Sequence, residues 1–137
     1  MKLRTLILTF LLAGAVIPTF QSCRKYPDGP LISFRSRTER VAQTWKVSSY
    51  QKNGTDNTSS YGGYSETYTK NGGYSYSWGV LSGTGTWGWA DNQSNIQLNG
   101  ISNQGTYTLV ILKLEQAEFW YYYIDGSDKK EFHMVPN

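Results

Sequence analysis

The chain is poor in the residues on which disulfides, metal sites and most acid–base catalysis depend. Its 137 residues include one Cys and one His. A single Cys excludes an internal disulfide framework and any Cys-based zinc site. A single His excludes the metal motifs that require two histidines. The length fits one domain, and we expect neither a metal nor a cofactor.

Charge is also scarce and almost balanced. Thirteen Lys and Arg stand against ten Asp and Glu, and Lys2 and Arg4 are the only charged residues before position 23. Without those two, eleven basic residues face ten acidic ones, a net charge of +1. The remaining basic residues are spread thinly, so the Lys/Arg-rich face that nucleic acids require is missing. We expect no nucleic-acid partner.

The hydrophobic run near the N-terminus is too short to cross a membrane. Residues 6–17 are apolar except for Thr9, whereas a spanning helix needs about 20 residues. A positive start followed by such a run predicts an export signal peptide over residues 1–22. The next residues, 23–31, contain turn-forming Pro and Gly and are predicted to form a short tether.

Cys23 directly follows Ser22, and this junction resembles the lipobox of bacterial lipoproteins. Phe20 and Gln21 stand where Leu and a small residue are usual, as in the relaxed lipoboxes of Bacteroidetes lipoproteins. The resemblance implies that Cys23 is acylated and that the exported protein is anchored to the outer membrane, on its periplasmic or surface side. Two or more acyl chains provide a stable anchor. A buried free thiol and a signal peptide without lipidation are the alternatives.

From residue 43 onward, the sequence has the alternation and composition of β-strands. Tyr, Trp, Val, Ile and Thr abound there, and no sustained 3.6-residue apolar period occurs. Asn71-Gly72 is a signal for a two-residue type I′ hairpin, and Asn99-Gly100 and Asp125-Gly126 are further turn signals. The predicted strands cover residues 44–51, 64–70, 73–79, 83–90, 94–98, 105–114, 117–124 and 130–135.

These strands predict an all-β, eight-stranded antiparallel up-and-down barrel over residues 32–137. Short links favour antiparallel neighbours, and closure of the sheet removes its two exposed edges. A β-sandwich is the competing arrangement, but only residues 53–63 and 100–104 offer connections long enough for it. Residues 32–42 are predicted to form a short helical segment before the first strand. Its Arg35, Arg37 and Arg40 suggest either an anion site or, more simply, a solvated face.

Both ends of this region resemble lipocalins and their calycin relatives. Gln43-Thr44-Trp45 resembles the Gly-x-Trp motif that opens the lipocalin barrel, with Gln43 in place of Gly. Residues 112–120 resemble the penultimate hairpin of lipocalin-like Bacteroidetes lipoproteins, and Val135-Pro136 resembles the end of their short last strand. The resemblance implies that Trp45 packs at the closed end of the barrel. It also implies a basic partner from the last strand, for which Lys130 is the best-placed candidate.

The sequence indicates no enzyme. His133 is out of phase with Phe132 and is expected to face outward, without the partners of a catalytic triad. Glu66, between Tyr64 and Tyr68, is the one acid that strand alternation allows to face inward.

Aromatic residues are the main functional signal. Eleven Tyr and five Trp all follow the leader. The first hypothesis is that inward rings line a pocket for a small apolar or amphipathic ligand. The second is a filled barrel whose outward rings bind an envelope protein or a glycan. A weaker third hypothesis is a hydrolase inhibitor that inserts the loop at residues 53–63. The candidate ligand-binding residues, chosen by strand alternation, are Tyr68, Tyr76, Trp78, Trp87, Tyr107, Tyr121 and Phe132.

Overall fold

The computed structural model describes residues 26–27, 33–100 and 105–137. The predicted signal peptide, Cys23 and most of the predicted tether lie outside the described residues. Within the described residues the backbone forms one α-helix, two short 3₁₀ turns (Thr58–Tyr61 and Asp91–Gln93) and nine strands. The helix and strands are α1 (Arg37–Val41), β1 (Thr44–Lys52), β2 (Thr55–Asp56), β3 (Tyr64–Tyr68), β4 (Gly73–Trp78), β5 (Leu81–Ala90), β6 (Asn95–Asn99), β7 (Thr106–Leu114), β8 (Phe119–Asp125) and β9 (Asp128–Pro136).

Eight of the strands close into an antiparallel barrel. The order is β1-β3-β4-β5-β6-β7-β8-β9, and β9 pairs with β1 to close the sheet. The two-residue β2 forms a small hairpin on the end of β1. Each long strand neighbours the next one along the chain, which confirms the predicted up-and-down barrel and excludes the sandwich. The fold also fits the lipocalin-like expectation.

The hairpin turns agree with the sequence signals only in part. Asp125 pairs with Asp128, which leaves a two-residue turn in which Gly126 has φ +61°. A positive φ at the first turn position alone is typical of type II′. The predicted type I′ turn at Asn71-Gly72 is wrong, because four residues (69–72) connect β3 to β4 and Asn71 lacks the positive φ that type I′ requires.

The helix α1 covers one end of the barrel, which we call the helix end; the opposite end is the mouth. Ser36 and Glu39 form a capping box at the start of α1, which satisfies its first free amides. Val41 is fully buried, and its carbonyl accepts a 2.9 Å hydrogen bond from Trp45 Nε1. Trp89 Nε1 donates to the Thr38 hydroxyl at 3.0 Å. These indole bonds fix α1 to the strands beneath it. Among the described residues no helix has the length and apolar character needed to cross a membrane.

The helix end of the barrel interior is densely filled. Trp45, Phe119 and Met134 are completely buried, and the Trp45 and Phe119 rings lie 5.6 Å apart. Ile96 and Leu114, also fully buried, complete this half of the core. No ligand space is therefore expected below α1, and any cavity has to lie toward the mouth.

Tyr26 also packs at the helix end, although the sequence places it in the predicted tether. Its side chain is buried, its hydroxyl donates to the Gln93 carbonyl at 2.8 Å, and the Arg37 guanidinium lies 5.7 Å from its ring. Burial raises the pKa of the Tyr26 phenol to about 12, against the opposing effect of Arg37 and Arg40. Contacts with the barrel thus begin before residue 32, the predicted start of the domain.

Candidate functional site: an aromatic cavity over a buried carboxylate

A cavity of about 220 Å³ occupies the half of the barrel toward the mouth. Its size lies between that of an engineered cavity of about 150 Å³ that holds benzene and the roughly 300–1,000 Å³ of ordinary small-molecule sites. The cavity therefore suits a small ligand. It is lined by Tyr61, Tyr64, Glu66, Tyr74, Tyr76, Trp78, Leu81, Leu98, Tyr107, Leu109, Tyr121, Tyr123 and Phe132.

Two glycines on β5 help to leave this space open. Leu81 lines the cavity and Trp87 is buried, so alternation directs positions 83 and 85 of the same strand into the barrel. Gly83 pairs with Tyr76 and Gly85 pairs with Tyr74. Two successive inward positions therefore lack side chains, opposite two tyrosines that face the interior.

Glu66 forms the floor of the cavity and is held by four tyrosine hydroxyls. Its side chain is 3 % exposed. Oε1 accepts from Tyr64 at 2.7 Å, from Tyr74 at 3.0 Å and from Tyr121 at 3.0 Å, and Oε2 accepts from Tyr68 at 2.8 Å. An ionised carboxylate offers about four acceptor positions. The four hydroxyls therefore use most of the hydrogen-bonding capacity of Glu66.

Three strands bring this cluster together. Tyr64, Glu66 and Tyr68 lie at alternate positions of β3 and so share its inner face. Tyr74 comes from the neighbouring β4, where it pairs with Tyr68. Tyr121 reaches the carboxylate from β8, so closure of the barrel is required to complete the cluster.

Burial dominates the electrostatics of the cluster. Desolvation raises the pKa of Glu66, and the four tyrosine hydrogen bonds oppose the rise. Burial, together with the Glu66 charge, raises the pKa of the Tyr68 and Tyr121 phenols well above their usual value. The tyrosines therefore stay protonated and act as donors at physiological pH.

The raised pKa of Glu66 predicts a component of stability that is lost as the pH rises. Between the unfolded pKa of about 4.3 and the higher folded pKa, the folded state binds more protons than the unfolded state. The free energy of unfolding therefore falls as pH rises through the folded pKa, and this component is fully present below the unfolded pKa. Glu66→Gln removes it, so wild type should lose stability relative to the variant in urea titrations between pH 4 and 8.

The comparison between the two proteins isolates Glu66 from other acids. Glu39, Asp56, Asp128 and Glu131 have lowered pKa values, and they act in the opposite direction. Both proteins retain these groups, so their contributions cancel in the difference. A difference that stays flat with pH, or that moves in favour of wild type as the pH rises, would contradict the assignment.

Five of the seven candidate ligand-binding residues line the cavity: Tyr76, Trp78, Tyr107, Tyr121 and Phe132. The other two, Tyr68 and Trp87, face inward but lie deeper, in the filled half near the helix end. Tyr68 is 1 % exposed, and the Trp87 indole donates to the Thr69 carbonyl at 2.8 Å. They therefore do not line this cavity, because strand alternation gives the face of a residue but not its depth.

Sequence reasoning missed several lining residues. Tyr61 belongs to a 3₁₀ turn between β2 and β3, where no strand period applies, and its ring stacks on Trp78 at 4.8 Å. Tyr64 and Tyr123 are in phase with residues that alternation had selected, Tyr68 and Tyr121, so this signal was available. The Glu66 cluster had only a partial signal, the alternation of Tyr64, Glu66 and Tyr68.

The expected contact between Trp45 and Lys130 is wrong. Trp45 is fully buried beneath α1, as the resemblance implies, but Lys130 pairs with Lys52 at the far end of β1. Seven residues at about 3.3 Å each place it about 23 Å along the strand. Lys130 instead bonds to Asp125 at 2.5 Å and lies 5.8 Å from the Tyr123 ring.

The outward aromatic residues of β8 are partly buried and contact neighbouring side chains. Trp120 stacks on His133 at 4.1 Å, and Lys113 Nζ lies 4.5 Å from the Trp120 ring. Lys129 Nζ lies 4.5 Å from the Tyr122 ring. His133 therefore faces outward, as predicted. Across the part of the chain that the structure describes, no three metal-ligating side chains come together.

No family model matches the chain, and no curated protein matches it. The class of the protein accordingly follows from its fold, a closed eight-stranded antiparallel barrel with a short helix over one end.

Proposed function

We propose that the protein is a non-enzymatic, lipocalin-like carrier or sensor that binds a small apolar or amphipathic ligand inside its barrel. The observation that supports this is the aromatic cavity toward the mouth, with its polar floor at Glu66. Apolar walls with a few convergent polar groups are typical of small-molecule sites. The leader and Cys23 further support export and a lipid anchor in the outer membrane.

The alternative is an interaction module that binds an envelope protein or a glycan through outward aromatics. Two observations favour the ligand-binding proposal over it. The half of the barrel toward the mouth contains the cavity, and the outward rings of Trp120 and Tyr122 already contact Lys113, Lys129 and His133.

The first test of the proposal is whether the protein co-purifies with a small molecule. Protein purified from its native host is extracted with organic solvent, and co-purified small molecules are identified by mass spectrometry. In parallel, quenching of tryptophan fluorescence is measured with a panel of lipids, haem and oligosaccharides. A stoichiometric apolar or amphipathic compound supports the proposal. Extracts without any co-purified compound, together with no quenching by any member of the panel, would contradict the proposal.

Two leucine substitutions on β5 locate the binding site. Gly83→Leu should place a side chain in the cavity and reduce affinity for the co-purified compound at least about tenfold, a change of about 1.4 kcal/mol. Gly88→Leu is the matched control: position 88 faces outward, and an added Cβ meets nothing within 4 Å. Neither glycine has a positive φ. Equal affinities in both variants, measured by calorimetry, would place the ligand outside the barrel.

A further inference from the structure

The floor of the cavity offers hydrogen-bond acceptors to an occupant. A tyrosine hydroxyl has one proton to donate, and Tyr64, Tyr74 and Tyr121 each direct that proton to Glu66. All three residues also line the cavity. Their oxygen lone pairs are therefore what an occupant meets at the floor. A ligand that brings its own donors matches this surface, whereas a carboxylate or phosphate does not.

Among the described residues, the buried carboxyl group of Glu66 has no basic side chain beside it in the cavity. Of the described residues that line it, Glu66 is the charged one, and none is Lys, Arg or His. The groups that hydrogen-bond to Glu66 are tyrosines on every side: Tyr64 and Tyr68 from β3, Tyr74 from β4 and Tyr121 from β8. Buried charges in proteins are normally paired. The unfilled space above Glu66 is where a positive partner fits.

The walls suit the same kind of ligand. Tyr61 and Trp78 stack at 4.8 Å, and Tyr107 and Tyr123 lie edge to face at 5.7 Å. The faces of such rings attract cations that lie within about 6 Å of the ring centre. The aromatic walls and the buried carboxylate below them both favour a quaternary or alkyl ammonium group over a neutral group of the same shape.

We infer that the cavity binds a small organic ammonium ion, which acts as the counter-ion of Glu66. This inference rests on the proposed function, since it requires a ligand inside the barrel. It adds the chemical class of the ligand: a single positive charge, an apolar body and a size compatible with about 220 Å³.

Choline and 3,3-dimethyl-1-butanol provide the test, because the second replaces the ammonium nitrogen of the first with carbon. Binding is measured by calorimetry to the full exported chain in phosphatidylglycerol nanodiscs, with empty nanodiscs subtracted. Wild type should bind choline at least tenfold more tightly than the alcohol. Glu66→Gln should weaken choline binding at least tenfold and leave the alcohol within twofold. Glu115→Gln, which neutralises a carboxylate outside the cavity, should change neither.

Each other outcome decides against the inference in a distinguishable way. If the alcohol binds as tightly as choline, or if Glu66→Gln affects both equally, the cavity binds apolar compounds without regard to charge; the proposed function then stands and the cation is rejected. If butyrate binds more tightly than choline, the sign of the charge is wrong. If none of these compounds binds and the native extracts contain no co-purified molecule, both the ligand-binding function and the ammonium ligand are rejected. Circular dichroism of Glu66→Gln shows that a loss of binding is not a loss of fold.

Discussion

Replacing Glu66 with Leu should destabilise the protein by at least about 4 kcal/mol, because each buried hydroxyl left without a partner costs about 1–3 kcal/mol. The substitution removes the acceptor shared by Tyr64, Tyr68, Tyr74 and Tyr121. Tyr68 and Tyr121 are almost completely buried and have little access to water. A domain of this size has only about 5–15 kcal/mol of stability. Urea unfolding should therefore shift to much lower denaturant, or the variant should fail to fold.

A double-mutant cycle separates the orphaned hydroxyls from simple packing damage. Tyr121→Phe alone should cost about 1 kcal/mol, the usual net value of one hydrogen bond. In the Glu66→Leu background the same change removes an unpaired hydroxyl and should be neutral or stabilising, so the two effects should not add. Glu66→Gln, which keeps an acceptor, should be much milder than Glu66→Leu. Additive effects would show that the hydroxyls do not depend on Glu66.

Replacing Trp45 with Ala should cost about 3–5 kcal/mol, the usual range for a buried Trp. Trp45 is completely buried, packs against Phe119 and donates from its indole to the Val41 carbonyl. The variant therefore creates a cavity and also removes the bond that fixes the end of α1. Chemical denaturation gives the loss of stability, and faster amide exchange in α1 should accompany it.

Two controls define the role of Trp45. Trp45→Phe keeps an aromatic ring but removes the indole donor, and should lose about 1–2 kcal/mol. Trp120→Ala deletes a half-exposed Trp that lies between Lys113 and His133 on the outer face. It should cost clearly less than Trp45→Ala. A greater loss at Trp120 than at Trp45 would mean that the helix end is not the stable part of the core.

The barrel could be predicted because its strands are specified locally. Alternation and turn residues located all eight long strands, and short links made antiparallel neighbours the simplest arrangement. The boundaries shifted where local signals are weak: β5 begins at Leu81 instead of residue 83, and β9 begins at Asp128 instead of residue 130. The two-residue β2 has no periodic signal at all.

The site could be predicted less completely, because depth and partnership depend on closure. Alternation correctly assigned Tyr68 and Trp87 to the inner face, but it could not show that they lie below the cavity. Glu66 and Tyr121 are 55 positions apart and meet only across the closed barrel. The predicted contact between Lys130 and Trp45 failed for a related reason. Alternation fixes which face of a strand a residue occupies, whereas the pairing register fixes its position along the barrel axis.

If Cys23 is acylated, as proposed, the position of Tyr26 fixes which end of the barrel lies nearer the membrane. It is docked at the helix end, through its bond to the Gln93 carbonyl, and it lies three residues after Cys23. Three residues span at most about 11 Å, so an acylated Cys23 would hold the α1 side of the barrel directly against the bilayer surface. The mouth would then face away from the membrane, on the aqueous side. A ligand would enter from solution and not from the lipid, which suits a water-soluble molecule better than a membrane lipid.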